Sequence, residues 1–373
     1  MSETTQQDSS EPPGSGIRPK HHWRVALLAN LKKHNFRPPP GAPPDFGADY
    51  DYIETIQTIQ AAIETDGHET AFLQADSTLP YTLRDYKPDI CFNIAEGLEG
   101  DAREAHIPAL LEMLRIPYTA SRVLTNSIAL DKTLTKRIWH ERGLPVGAFQ
   151  EFVSVNEPLR NDMQFPLFVK PAREGTGMGV DTQAVAQNEG ELRERVDYVI
   201  RFYKQPALVE TFLPGHEFTI GHMGRSDVRS HSRHPEWYDD NGFHRFPILE
   251  LDSRRAITPS IYGHAAKAQS VGTEGAPRYL CPADVDPALA KQLREMALLA
   301  HHAIGTLDIS RVDFRLDTKG QPCLLEINPL PGLTPGYSDI CIMAAAEGIK
   351  YEDLILEILY LGAGRWGLLE ERE

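Results

Sequence analysis

Cysteine is scarce in this chain. The four residues among 373, Cys91, Cys281, Cys323 and Cys341, sit in unrelated contexts and lack the close spacing of a zinc site or a redox pair. A reducing cytoplasm is the expected setting. Long apolar runs are missing as well, the longest being of the kind seen at residues 25–29, far too short to cross a bilayer. No membrane span is expected. Positive charge is in deficit: 38 Lys and Arg stand against 53 Asp and Glu, for a formal net charge of −15. Such a field repels nucleic acid, and no Lys/Arg cluster offsets it. The first twenty residues have no apolar signal core; they are polar and rich in Pro and Gly, and are read as a disordered tail.

What is present is the composition of an ordinary globular protein, 41% hydrophobic and 24% charged, with a length that suggests two or three domains. "WRVALLAN" suits a buried parallel strand and runs into a loop with a proline cluster at residues 38–44. Ile53, Ile56, Ile59 and Ile63 then recur at helical spacing as far as Gly67, and "ETAFLQA" and "PDICFNI" read as two further strands. "IPALLEMLRIPYTA" adds a helix and a short strand. Residues 21–120 thus read as a small doubly wound α/β domain. No internal repeat is visible.

A second section opens with "NSIALDKTLTKRIWHERGLPV", which predicts one helix with Leu130, Leu134 and Ile138 four apart, closed by Gly143 and Pro145. Lys132 and Lys136 share a face of it, where solvated surface is the default. "FPLFVKPA" is a strand, and "VKPAREGTGMGV" continues it into a glycine-rich loop. A triphosphate is approached closely only where side chains are absent and backbone N–H groups point inward. Lys170 would add a mobile charge and Thr176 a hydroxyl. The string is neither a P-loop nor a dinucleotide fingerprint, since Lys170 precedes the glycines. Alone it fits a phosphate-covering loop or a plain hairpin turn.

"SRVDFRLDTKGQPCLLEINPLPGLTPGYS", residues 310–338, contains two strand-like runs joined by a turn with Asp317 and Gly320. On antiparallel strands Asp313 would oppose Glu326, and Asn328 shares a face with Glu326. Two carboxylates and an amide oxygen are hard ligands of the kind Mg²⁺ takes alongside substrate phosphates, and Arg311 would point to the same side. The alternative is a surface hairpin with an acidic rim.

In order along residues 105–360, "DKTLTK" with "GLPV", "VKPAREGTGMG", "LVETFLPGHEFTI", "IYGHAAK" with "YLCPA", and "RVDFRLDTKGQPCLLEINPLPGLT" resemble the D-alanine:D-alanine ligase branch of the ATP-grasp superfamily. The resemblance implies a mixed α/β fold: the N-terminal α/β domain at 21–120, a small lobe at 121–213 and a large lobe at 214–373, with ATP between the lobes. It also implies roles. Lys132 and Lys170 would meet ATP phosphates, with Glu174, Gly175, Thr176 and Gly177 folding over them. Glu210 and the Leu213 backbone would take adenine, and Glu217 the ribose. Lys267 would reach the γ-phosphate from a mobile loop. Asp313, Glu326 and Asn328 would hold two Mg²⁺, for which Mn²⁺ can substitute. Arg311 and the Gly332 N–H would stabilise a tetrahedral oxyanion.

The reaction implied is ATP-dependent joining of a carboxylate to an amine through an acyl phosphate, with small molecules such as amino acids as partners and a homodimer as the expected assembly. Lids are expected at residues 175–179 and 262–275.

Three departures bear on substrate. The family's first-strand segment, with a glutamate that grips an amine, is replaced by "ANLKKHNFRPPPGAPPDFG". Its next conserved stretch becomes "NIAEGLEGDAREAHIPALLE", where Glu96, Glu99, Arg103 and His106 would make different contacts. Its carboxylate-binding serine aligns with Tyr337, with Ser338 one place on. A different amino acid or a natural-product acceptor is therefore an alternative to dialanine, and a nucleotide-binding regulatory protein without turnover is another. The pairs His21/His22 and His301/His302 lack metal spacing. Residues 229–246, rich in His, Trp and acids, form either a substrate loop or an exposed insertion.

Overall fold

A computed structural model describes residues 17–32, 36–225, 228, 231–253, 263 and 276–371. Arg24–Ala29 is the centre of a three-stranded parallel sheet, flanked by Glu69–Gln74 and Ile90–Asn93. Its side chains are apolar on both faces because helices cover both. Ile53–Glu64 turns Ile56, Ile59 and Ile63 inward, and Tyr118 extends the sheet through a single parallel bridge to Cys91.

The far end of the chain completes this core. Helix Tyr351–Arg365 is buried nearly all round, so one apolar stripe is not enough to satisfy it, and Leu354, Ile355, Ile358 and Leu359 join Trp23, Val25, Leu27 and Ile56 in one cluster. The range 214–373 therefore includes a helix that packs with the N-terminal sheet. The polar tail also needs correcting at its end: Ile17–Pro19 pairs antiparallel with Leu369–Glu371.

Two antiparallel sheets follow. Phe149–Phe152, Ala207–Thr211, Leu167–Pro171 and Val185–Ala186 make a four-stranded sheet in that order. Its core is closed by Leu192, Val196 and Val199 of helix Glu189–Tyr203. The larger sheet runs Arg278–Leu280, Leu249–Asp252, Glu217–Gly224, Ile309–Leu316 and Pro322–Asn328, with Phe243–Arg245 also paired to Glu217–Gly224. Helix Pro287–Ile304 covers it with Leu293, Met296, Ala297 and Ala300.

Two local expectations change. The single helix expected from residue 126 is two helices, Val123–Leu130 and Lys132–Glu141, broken at Asp131, whose carboxylate accepts from Leu134 N at 2.8 Å as an N-cap. Leu134 is exposed, while Lys132, Lys136 and Trp139 are buried; the inward face is the lysine face. The described part of 229–246 is neither a substrate loop nor an exposed insertion. Ser232 Oγ and Tyr238 OH each donate to Glu357 Oε1 at 2.6 Å, Arg233 N donates to Oε2 at 2.9 Å, and Phe246 is fully buried. This stretch packs as a plug against the last helix.

Candidate active site

The site forms where the two antiparallel sheets face each other beside the C-terminal ends of the parallel strands. In the hairpin Ile309–Leu316/Pro322–Asn328, Asp313 opposes Glu326 and Arg311 opposes Asn328. The turn is held by Asp317, whose Oδ1 accepts from Lys319 N and Gln321 N at 2.8 Å.

Arg311 is clamped between two acids. Its Nε and Nη2 donate to the Asp313 oxygens at 2.9 Å each, and Nη1 lies 3.0 Å from Asp339 Oδ2. Burial works against its charge, but Asp313 and Asp339 outweigh this and hold its pKa well above the usual value. Asp313 also accepts from Thr219 Oγ1 at 2.5 Å and Asn328 Nδ2 at 3.2 Å.

On the opposite sheet, Lys170 Nζ lies 2.8 Å from Glu210 Oε1 and Lys136 Nζ 2.9 Å from Glu210 Oε2. Burial pushes the Glu210 carboxyl up, yet the two ammonium groups prevail and hold it at about 2. Lys136 also donates to Leu324 O at 2.9 Å, and burial lowers its pKa despite Glu210. Lys132 bridges the sheets: its Nζ donates to Glu174 O and lies 3.3 Å from Glu326 Oε2.

The glycine-rich loop between the sheets has left-handed backbone at Thr176, Gly177 and Gly179. Gly179 is required twice over, since a Cβ there would lie 2.5 Å from the Pro171 ring. Asp45, in the proline-rich segment, accepts from Gly179 N at 2.7 Å and from Tyr203 OH at 2.8 Å. Arg103 donates to Glu174 Oε2 and to Arg173 O, both at 2.9 Å. The N-terminal domain thus pins both ends of the loop.

Two adjoining cavities open on these residues. The outer, about 780 Å³, is lined by Lys170, Gly177, Glu210, Leu213, Glu217 and Asp313. The inner, about 890 Å³, is lined by Glu96, Gly175, Thr176, Arg311, Asn328, Gly332, Tyr337 and Ser338. Lys132, Glu174 and Glu326 line both. Apart from Lys267, the residues given roles by the resemblance, with Glu96, Tyr337 and Ser338, line one cavity or the other; Lys267 lies outside the described residues, as does all of 262–275 except Gly263, while Glu99, Arg103, His106 and Lys136 line neither cavity. A Cβ on Gly263 would stand 2.0 Å from Val180 O, so Gly263 itself lies against the end of the glycine loop.

The outer cavity, with the cationic side chains of Lys132, Lys170 and Arg315, a buried Leu213, a half-buried Phe168 and the carboxylate of Glu217, suits a nucleotide. Among the described residues no three His, Cys, Asp or Glu side chains converge as a metal cage. The oxygen-only set Asp313, Glu326 and Asn328 nevertheless fits a hard divalent cation that takes its remaining ligands from phosphates and water. Asn328 would have to turn its amide so that oxygen, not nitrogen, faces the cavity; the two are assigned from their neighbours. Glu104 and Asp339 were missed in the sequence, and Lys136, read there as solvated by default, is buried. Glu99 and His106 are exposed, so of that stretch only Glu96 and Arg103 turn inward.

Residues 138–360 match the family model for the D-ala D-ala ligase C-terminus. The chain is 36% identical over 279 residues to a D-alanine–D-alanine ligase of Alcanivorax borkumensis, covering 74% of this chain and 78% of that one. It is 32% identical over 274 residues to D-alanine–D-alanine ligase B of Chromobacterium violaceum (73% and 79%) and 31% identical over 317 residues to an uncharacterized protein of Sinorhizobium fredii (83% and 87%). The crystal structure of D-alanine–D-alanine ligase from Bacillus anthracis complexed with ATP superposes with a TM-score of 0.67 at 19% identity, covering 92% of this chain and 98% of that one.

Proposed function

The chain belongs to the D-alanine–D-alanine ligase family of ATP-grasp enzymes, and from that premise we propose that it couples ATP cleavage to amide formation between a carboxylate and an amine. The observation that carries the reading is the sharing of Lys132 and Glu326 by the two cavities, so that whatever bridges them passes between a cation and a carboxylate.

The outer cavity takes ATP, with Lys132 and Lys170 on its phosphates. Those phosphates carry about four negative charges, and each direct charged contact contributes roughly 1.5–3 kcal/mol. Glu210 and Leu213 border the base, and Glu217 the ribose. Lys267 is assigned to the γ-phosphate. Asp313, Glu326 and Asn328 would hold one or two divalent cations, Mg²⁺ or Mn²⁺, whose charge would offset that of the phosphates.

The substrate carboxylate attacks the γ-phosphorus and forms an acyl phosphate while the bond to ADP breaks. The amine then attacks the acyl carbon, phosphate leaves, and the amide remains. Arg311 and the Gly332 N–H face the inner cavity, where an oxyanion would develop. The glycine loop would keep water from the acyl phosphate. A cytoplasmic homodimer completes the reading.

A second reading keeps this chemistry and changes the acceptor to another amino acid or a natural-product amine. It is favoured by the proline-rich segment, whose Asp45 anchors the loop over the site. Carboxylate substrate labelled with heavy oxygen tests the mechanism: transfer of one label to the released phosphate is expected, and unlabelled phosphate would rule out an acyl phosphate.

A further inference from the structure

Strand alternation puts a third charged side chain beside Arg311 and Asp313. In Ile309–Leu316 residues two apart share a face, so Arg315 stands on the same side as that pair. It lines the outer cavity, and across the sheet it directly opposes Glu217, with its Nη1 3.6 Å from Glu217 Oε2. Each of the two side chains is only 10% exposed.

The guanidinium is fixed at the start of the neighbouring strand. Its Nε donates to Gly215 O at 3.2 Å, and its Cζ stands 5.6 Å from the centre of the Phe212 ring. Gly215 N donates to Leu316 O at 3.0 Å, and a Cβ on that glycine would lie 2.6 Å from the same oxygen, so the turn before Glu217 comes this close only without a side chain. A smaller cavity of about 580 Å³, with His216 and Glu250 in its wall, adjoins the outer one, and Glu217 and Arg315 line both. The pair is a partition between two spaces, so polar contacts set its geometry more than close packing does.

Five carboxylates line the outer cavity, Glu174, Glu210, Glu217, Asp313 and Glu326, against three cations, Lys132, Lys170 and Arg315. Glu174 has Arg103, Glu210 has Lys170 and Lys136, Asp313 has Arg311, and Glu326 has Lys132. Arg315 serves Glu217 in the same way. A carboxylate near a polyphosphate is repelled, and one bordered by open space can turn in several directions. A guanidinium beside one oxygen offsets the repulsion and restricts the turning, which leaves the other oxygen to accept from the cavity.

We propose that Arg315 is a positioning residue: through Glu217 it sets recognition of the ribose hydroxyls, and with it the preference for a ribonucleotide over a deoxyribonucleotide. The proposal rests on the ligase reading and on the place of Glu217 at the ribose within it.

The test is calorimetry on the full chain with Mg²⁺, comparing ATP with 2′-deoxy-ATP and 3′-deoxy-ATP. The unmodified chain prefers ATP over at least one of them by about tenfold or more, the worth of a hydrogen bond to a charged group. In Arg315→Met that preference falls about threefold or more while the deoxynucleotide still binds, which also shows that the variant has folded. Arg315→Lys keeps the charge and retains more of the preference than the methionine variant. A smaller fall in Arg315→Met, with all three nucleotides weakened alike, or a lysine variant no better than the methionine one, overturns the proposal. Should Arg315→Met bind no nucleotide, Arg315→Gln is judged by the same criterion, and failure of both to bind shows a merely structural role and overturns it too. Equal binding of ATP and both deoxynucleotides by the unmodified chain removes this inference and leaves the ligase reading standing; no binding of Mg-ATP removes both.

Discussion

The Lys170 ammonium lies 2.8 Å from one oxygen of Glu210, whose other oxygen holds Lys136 at 2.9 Å. Of the two, it is Lys170 that lines the outer cavity. Lys170→Met is expected to weaken Mg-ATP binding by about tenfold or more, the worth of one charged contact. Lys136→Met leaves Glu210 with one lysine and removes the donor to Leu324 O, so its main effect is on stability. Calorimetry and urea unfolding separate the two, and equal losses of ATP affinity would contradict the assignment.

Glu210 also predicts a pH dependence. Its carboxyl is held at about 2 in the folded chain against an ordinary value of 4.5. A lowered acid stabilises fully above its unfolded pKa, and that contribution is lost as pH falls from 4.5 through about 2. The difference is on the order of 3 kcal/mol. Unfolding free energies measured downward from neutral pH should fall more steeply for the unmodified chain than for Glu210→Gln. Parallel curves would show that the pairing is not made.

Gly179→Ala places a methyl group 2.5 Å from the Pro171 ring in left-handed backbone. The combined strain and overlap cost about 2 kcal/mol or more, or are relieved by moving the loop. Either a lower unfolding midpoint or a raised KM for ATP is expected. An unchanged variant on both measures would refute the tight approach.

Asp308 and Arg365 form a buried pair at 2.8 Å, and the Arg365 guanidinium also donates to the Tyr118 and Ala120 carbonyls at 3.0 and 2.8 Å. Ala120 N donates to Asp308 at 2.9 Å. This knot joins the parallel sheet, the large sheet and the last helix. Removing one partner leaves a buried charge alone, so Arg365→Met should cost about 3–5 kcal/mol in urea unfolding. A loss below about 1 kcal/mol would mean that the pair is dispensable.

The hairpin with Asp313 and Glu326 could be read in the sequence because strand alternation and a tight turn fix which residues oppose each other. The parallel strands were legible for a similar reason, being short apolar runs with turn signals at both ends. Lys136 was not legible. A lysine on a helix face reads as solvated until its partner, Glu210, is brought from 74 residues away. Glu104 belongs to no motif, and its place in the cavity wall depends on Gly97 folding the chain back. Asp308 and Arg365 are 57 residues apart, and nothing local marks either. The stretch around Tyr238 looked exposed because its polar groups were counted without Glu357, which buries them.

The central claim is amine-dependent ATP cleavage. It is tested most directly by ADP and phosphate release with Mg-ATP and D- and L-amino acids, singly and in pairs, with mass spectrometry of the products. The Asp313→Ala/Glu326→Ala double variant serves as the blank. The account predicts one ADP for each amide bond in the unmodified chain and none in the blank. ATP that binds but is never turned over with any amine-bearing pair would contradict it.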